Sequence, residues 1–157
     1  MPLAYALALP FGPLGEELGW RGFALPRLLS RFGPVTASLL LGGVLDVLAH
    51  SDAAIQSRRI IAVLPALSVT AVLIYLVQLT AATALMTLLF LRTNGSVLLA
   101  VLAYLTFSSA DNVLFGRPSH QPTEPLRSVY MVNVALLAVL GLLSLVALAT
   151  APRPRYA

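Results

Sequence analysis

The chain contains no cysteine and no lysine, and it has little charge of either sign. Without cysteine there is no disulfide framework, no thiolate nucleophile and no thiolate metal site. Any metal must then be held by histidine and carboxylate side chains. Without lysine, all ten basic residues are arginine, and six acids and two histidines complete the ionisable set. Charged residues make up only 10% of the 157, hydrophobic residues 59%, and the mean hydropathy is +0.89. An ordinary soluble domain is about 25% charged, so this chain lacks the polar surface to cover itself. The composition defines one integral membrane domain over residues 1–157, all-α in class. A Gly-rich phosphate loop and an aromatic–basic patch are both missing, which argues against nucleic acid. The net charge of +4 lies mainly in loops and the tail, where it suits membrane lipids with anionic headgroups. Met1 leads into apolar sequence with no charged n-region, so no cleavable signal peptide is expected. The chain reads as a short form or fragment with upstream spans missing.

Apolar runs divide the chain. Leu3–Ala24 is interrupted by Pro10 and Pro13, so a helix is expected from about Leu14. Pro26 then restarts a short amphipathic piece, Arg27–Phe32, with Leu28, Leu29 and Phe32 in lipid and Arg27 and Arg31 at the headgroups; a plain loop is the other reading. Gly33-Pro34 starts the second span, Val35–His50, and Gly42-Gly43 within it allow close helix approach. Ser51–Arg59 is a polar loop. Ile60–Leu91 is too long for one crossing. It reads as a kinked start up to Pro65 and a span over Ala66–Leu91, or as two helices broken near Gln78–Thr80. Arg92-Thr93-Asn94-Gly95-Ser96 is a turn, with Ser96 placed to cap the next helix. Val97–Ala110 is the fourth span and carries Tyr104, Ser108 and Asn112 at i+4 steps, with Asp111 at its border. Phe115–Arg127, holding His120, reads as an exposed loop. Ser128–Thr150 is a span without charge that packs and faces lipid. The architecture is a multi-pass helix bundle of four or five crossings in the cell membrane. Arg27, Arg31, Arg92, Arg153 and Arg155 fall on one side, and Arg58, Arg59, Arg117 and Arg127 on the other. The bias towards a cytoplasmic C-terminus is slight.

The stretch Gly15–Gly22, GEELGWRG, holds Glu16, Glu17 and Arg21 in an otherwise apolar run. On a helix Glu17 and Arg21 share a face and pair, while Glu16 points about 100° away. Ionisable residues in a membrane segment are costly, turn inward and mark sites. A charge cluster at a helix end, without chemistry, is the plainer reading. The second span adds Asp46 and His50 at i, i+4, and the fourth adds Tyr104 and Ser108. A carboxylate and an imidazole facing one wet cavity are the minimum for activating water, the carboxylate as base and His as metal ligand or charge stabiliser. A lone His at a helix end is equally an interfacial residue.

GEELGWRG, a Pro-bounded amphipathic piece, a Pro-started helix ending in His50 and a later RTNGS-helix together resemble the CPBP family. These are intramembrane metalloproteases related to CAAX prenyl endopeptidases, also called the Abi family. The resemblance covers about residues 11–109, leaving the C-terminal span of about 128–150 outside. The family's Glu-Glu-x-x-x-Arg motif is intact as Glu16, Glu17 and Arg21, with Trp20 and Gly22 in the expected company. Its second motif places an aromatic residue four before a His; here the pair is Asp46 and His50. Its third places Asn four after a His; here the pair is Tyr104 and Ser108. The resemblance implies that Glu16 is the general base, that Glu17 with Arg21 is structural or orients it, and that His50 is a metal ligand or oxyanion stabiliser. It also implies a divalent metal, zinc for preference, with Glu16, Asp46 and His50 as the ligands in this chain, and a membrane-associated peptide or protein as substrate. Tyr104 donates a hydrogen bond more readily than it binds zinc. His120 is a conceivable substitute ligand. Two functions stay open: an intramembrane metallo-endopeptidase of the CAAX-protease type, and a non-catalytic scaffold or binding protein that keeps the fold. A transporter fragment is a third reading, against which stands the lack of paired broken segments.

Overall fold

In the computed structural model the backbone is described for residues 13–46, 69–115 and 124–150, and the side chains for residues 14–45, 73–106 and 128–150. Every regular element among the described residues is helical. Pro13 opens α1 (Pro13–Glu17), its fixed φ and missing N–H being tolerated at a helix start. The chain then widens into a π-helical stretch, π1 (Leu18–Ala24), and tightens again into α2 (Leu25–Arg31). Glu17, Ala24 and Leu25 all keep right-handed helical dihedrals, so the helix passes through all three pieces without a break. The expected restart at Pro26 is therefore corrected. A proline inside an α-helix collides with the carbonyl four residues back, and here the wider turn immediately precedes it. The Leu25 N–H already reaches five residues back, to the Trp20 carbonyl.

Phe32 turns extended and ends the helix, and Pro34 opens α3 (Pro34–Leu40), which widens into π2 (Leu41–Asp46). The long helix α4 (Val69–Arg92) runs straight through Gln78–Thr80, which rules out the two-helix reading of this stretch. Its C-terminus is closed by Asn94 in the left-handed region, φ 54°, with the Gly95 N–H on the Phe90 carbonyl at 2.8 Å. Ser96 then caps α5 (Val97–Phe115), its Oγ accepting from the Leu99 N–H at 3.3 Å. Thus α5 extends past Ala110, to Phe115. The last helix, α6 (Glu124–Thr150), starts before Ser128, so the end of the predicted Phe115–Arg127 loop is helical. Pro125 at its second position is the local cause.

Helix α4 is the central element. One stripe of it, Thr80, Thr83, Thr87 and Phe90, meets α3 and π2. The adjacent stripe, through Ala81 and Ala84, meets α6. Small residues permit both contacts. A methyl group at Gly42 would stand 2.6 Å from the Thr83 Cβ, and one at Gly141 would stand 2.6 Å from the Ala81 Cα. Between membrane helices close packing replaces the hydrophobic drive that water supplies. Tyr130, Leu137, Gly141, Ser144 and Leu148 form the buried seam of α6, and the Tyr130 hydroxyl donates to Gln78 Oε1 at 2.9 Å. Val132, Leu136, Val139, Leu143 and Val146 are exposed on the other side of α6. A helix apolar on every side suits lipid. Among the described residues, Leu73–Arg92 and Ser128–Thr150 are long and apolar enough to cross a membrane, while Pro34–Leu45 and Val97–Thr106 are shorter apolar helices.

At one end Leu25, Leu29, Ala37, Leu41 and Phe90 form a buried cluster, with Trp20, Leu28 and Val97 packed against it. Leu29, expected in lipid, is thus a core residue: its helix is covered by α3 and α4. Arg27, Arg31 and Phe32 are exposed as expected.

Candidate active site

The i, i+4 spacing of Glu17 and Arg21 survives the widened turn. Arg21 Nη1 donates to Glu17 Oε1 at 2.7 Å, with Glu17 0% and Arg21 5% exposed. Burying two charges is costly in a low dielectric, and a short charge-assisted bond offsets that cost. Glu16, one residue earlier and about 100° round the helix, is only half-buried. The two adjacent acids therefore differ in burial, Glu17 sealed against arginine and Glu16 half-buried.

Helix α5 carries Tyr104 towards this pair. Both α1 and π1 pack on α5, and a methyl group at Gly22 would touch Val97 Cγ2 at 3.8 Å. Because α5 leads away from Val97 past the earlier residues of the first helix, the two run antiparallel. Glu17 lies about 7 Å along its helix from Gly22, and Tyr104 about 10 Å along α5 from Val97. They come to a similar height, and the half-buried Tyr104 is on the helix against which the acids are packed. Ser108 follows one turn on in α5, but its side chain is outside the described residues. Asp46 is the last residue of π2; its side chain, and the whole of His50 and His120, also lie outside. The structure therefore brings Glu16, Glu17, Arg21 and the helix of Tyr104 together, and the convergence of Asp46, His50 and Ser108 on them rests on the sequence. No three His, Asp or Glu side chains gather as a metal site among the described residues.

Two features went unread in the sequence. The first is that both motif-bearing helices are π-helical where it matters: π1 contains Arg21 and π2 ends at Asp46. Single wide turns of this kind recur at functional sites. The second is the hydroxyl seam behind them, with Ser38, Thr83 and Thr87 each at most 1% exposed. Its signal was the recurrence of threonine at positions 80, 83 and 87, one face of an apolar helix.

An all-helical bundle with a buried acid–arginine pair on its first described helix, and a half-buried second acid beside it, is a candidate site that offers carboxylates for chemistry. A family model described as type II CAAX prenyl endopeptidase Rce1-like matches residues 1–110. The chain belongs to this family, and with it to the membrane-embedded CAAX-type proteases. No curated protein and no solved structure matches the chain.

Proposed function

We propose that the chain is an intramembrane endopeptidase that hydrolyses a peptide bond at or in the membrane, with Glu16 as the base that activates water. The observation that carries this reading is the difference in burial between the two acids. Glu17 is committed to Arg21 at 2.7 Å and fully buried, while Glu16 is half-buried on the face beside it. In a family of CAAX-type proteases, the half-buried carboxylate is the one that water can reach to give up a proton. Attack on the amide then needs a donor for the developing oxyanion. The phenol of Tyr104, on the helix packed against α1, has the right chemistry, and Arg21 adds positive charge nearby.

A divalent metal, zinc for preference, is part of the proposal. Two carboxylates and an imidazole, from Glu16, Asp46 and His50, are a donor set that fits such an ion. When bound, it would polarise the scissile carbonyl. The substrate is a membrane-associated peptide or protein, and the protein crosses the cell membrane several times. Glu16, Asp46, His50, Tyr104 and Ser108 would line the cavity in which it is cut.

The presence of Tyr104 and Ser108, where the family pattern has His and Asn, favours a second reading: a non-catalytic scaffold. A cleavage assay on membrane-tethered peptides separates the two, run on the native chain, Glu16→Ala and the double variant Tyr104→His with Ser108→Asn. The peptidase reading expects Glu16-dependent cleavage by the native chain. Cleavage that appears only in the rebuilt variant would establish the scaffold.

A further inference from the structure

Among the described residues, the two helices long enough to cross a membrane end side by side. Tyr130 is bonded to Gln78 and Gly141 lies on Ala81, so α6 and α4 advance in the same direction. Thr150 is nine residues past Gly141, as Phe90 is nine past Ala81, which brings both span ends to one level. With both helices spanning a bilayer, that level is where hydrocarbon would give way to headgroups. Leu29 and Phe90 share a buried cluster there, so Arg27 and Arg31, two residues either side of Leu29, flank the same level as Arg92, two past Phe90. All three arginines are exposed. Arg27 is held in place, its guanidinium 3.5 Å over the Phe23 ring and its Nη1 on the Phe23 carbonyl at 3.0 Å. Phe23, Phe32, Leu98 and Leu99 are exposed apolar side chains around the collar. Among the described residues no acid lies at this end. Glu16 and Glu17 are at least two turns further along the first helix, Asp46 closes π2, and Asp111 and Glu124 lie towards the far ends of α5 and α6.

We propose that Arg27, Arg31 and Arg92 form a collar that selects an anionic phospholipid. Three positive charges at headgroup height, with no compensating acid among the described residues and rimmed by apolar side chains, match a lipid with net negative charge and two acyl chains. A zwitterionic lipid brings its own cation to the same place and gains less. Attraction of basic residues to anionic leaflets is additive at the surface and falls with salt. The proposal stands whether or not the chain is a peptidase.

The test is lipid retention by the full chain. Protein in micelles holding equal amounts of phosphatidylglycerol and phosphatidylcholine with the same acyl chains is read by native mass spectrometry. The native chain should retain phosphatidylglycerol with a preference of roughly tenfold or more, weakening as salt is raised. Arg27→Gln, Arg31→Gln and Arg92→Gln together should remove most of it, and the corresponding three lysine substitutions should keep it. Should the triple glutamine variant fail to fold, Arg31→Gln with Arg92→Gln leaves the Arg27–Phe23 stack intact and should still lose more than half. Inorganic phosphate at the same concentration should not displace the lipid. Equal retention of the two lipids by the native chain, an unchanged preference in the glutamine variants, or full displacement by free phosphate would each overturn the proposal.

Discussion

Glu17 and Arg21 are the residues whose loss the fold should feel most. Removing one partner of a buried ion pair leaves the other charged and unmatched, at a cost of about 3–5 kcal/mol. Arg21→Leu should therefore strongly lower the unfolding midpoint in detergent. Glu16→Gln, at a half-buried position, should cost about 1 kcal/mol or less. The reverse order of midpoints would contradict the assignment of the two acids. A second prediction concerns the hydroxyl seam. Gly42 lies opposite Thr83, so on antiparallel helices Ser38 falls opposite Thr87. Both are 0% exposed, and neither hydroxyl has a hydrogen-bond partner among the described residues. Replacing both by apolar groups of similar shape removes two desolvated polar atoms without opening a void. Ser38→Ala with Thr87→Val should leave the midpoint unchanged or raise it, and a marked drop would mean that these hydroxyls are hydrogen-bonded in the protein.

At the scale of elements, the glycines separate contact from open space. Gly42→Ala drives a methyl group to 2.6 Å from the Thr83 Cβ, and Gly141→Ala drives one into Ala81. Each should cost about 1–3 kcal/mol by overpacking. A methyl group at Gly19 would meet nothing within 4 Å, and Gly19→Ala should be neutral or stabilising by up to about 1 kcal/mol. Unfolding curves for the three variants check the order directly. The sequence announced several of these features through local chemistry: the Asn94 turn, the Ser96 cap, the Pro34 helix start and the Gly42-Gly43 approach. It did not announce the π-helical turns. In a run apolar on all sides, a period of 3.6 residues cannot be told from a wider one, because no polar face marks the phase. Nor could it place Leu29. Arg27 and Arg31 mark one exposed side of that helix, whereas its covering residue, Phe90, is about sixty positions away in sequence. The start of α6 at Glu124 was legible in principle from Pro125, but the surrounding prolines read as loop.

For the whole molecule, α4 sets the arrangement. It packs α3 and π2 on one stripe and α6 on the next, and it feeds α5 back through the Asn94 turn onto the helix that carries the acids. That return brings Tyr104 to the height of Glu17, and it depends on pairing between residues some eighty positions apart, which no local pattern encodes. The acid–arginine half of the candidate site was thus readable from spacing alone. Tyr104 and Ser108 were picked out as polar residues of the fourth span, their roles came only through resemblance to a family, and the matched family model over residues 1–110 agrees with that family. The same arrangement places the two spans' ends and the three arginines at the level of the Leu25–Phe90 cluster, with the acids further along the first helix.

The central claim is that Glu17 holds the fold while Glu16 does the chemistry. Its most direct measurement pairs two readings on the same protein: cleavage of a membrane-tethered peptide, and the unfolding midpoint, for the native chain, Glu16→Gln and Glu17→Gln. The account predicts that Glu16→Gln keeps the native midpoint and loses cleavage by at least about a hundredfold, as expected for removal of a general base, while Glu17→Gln lowers the midpoint by releasing Arg21. Native cleavage rates in folded Glu16→Gln protein would contradict it.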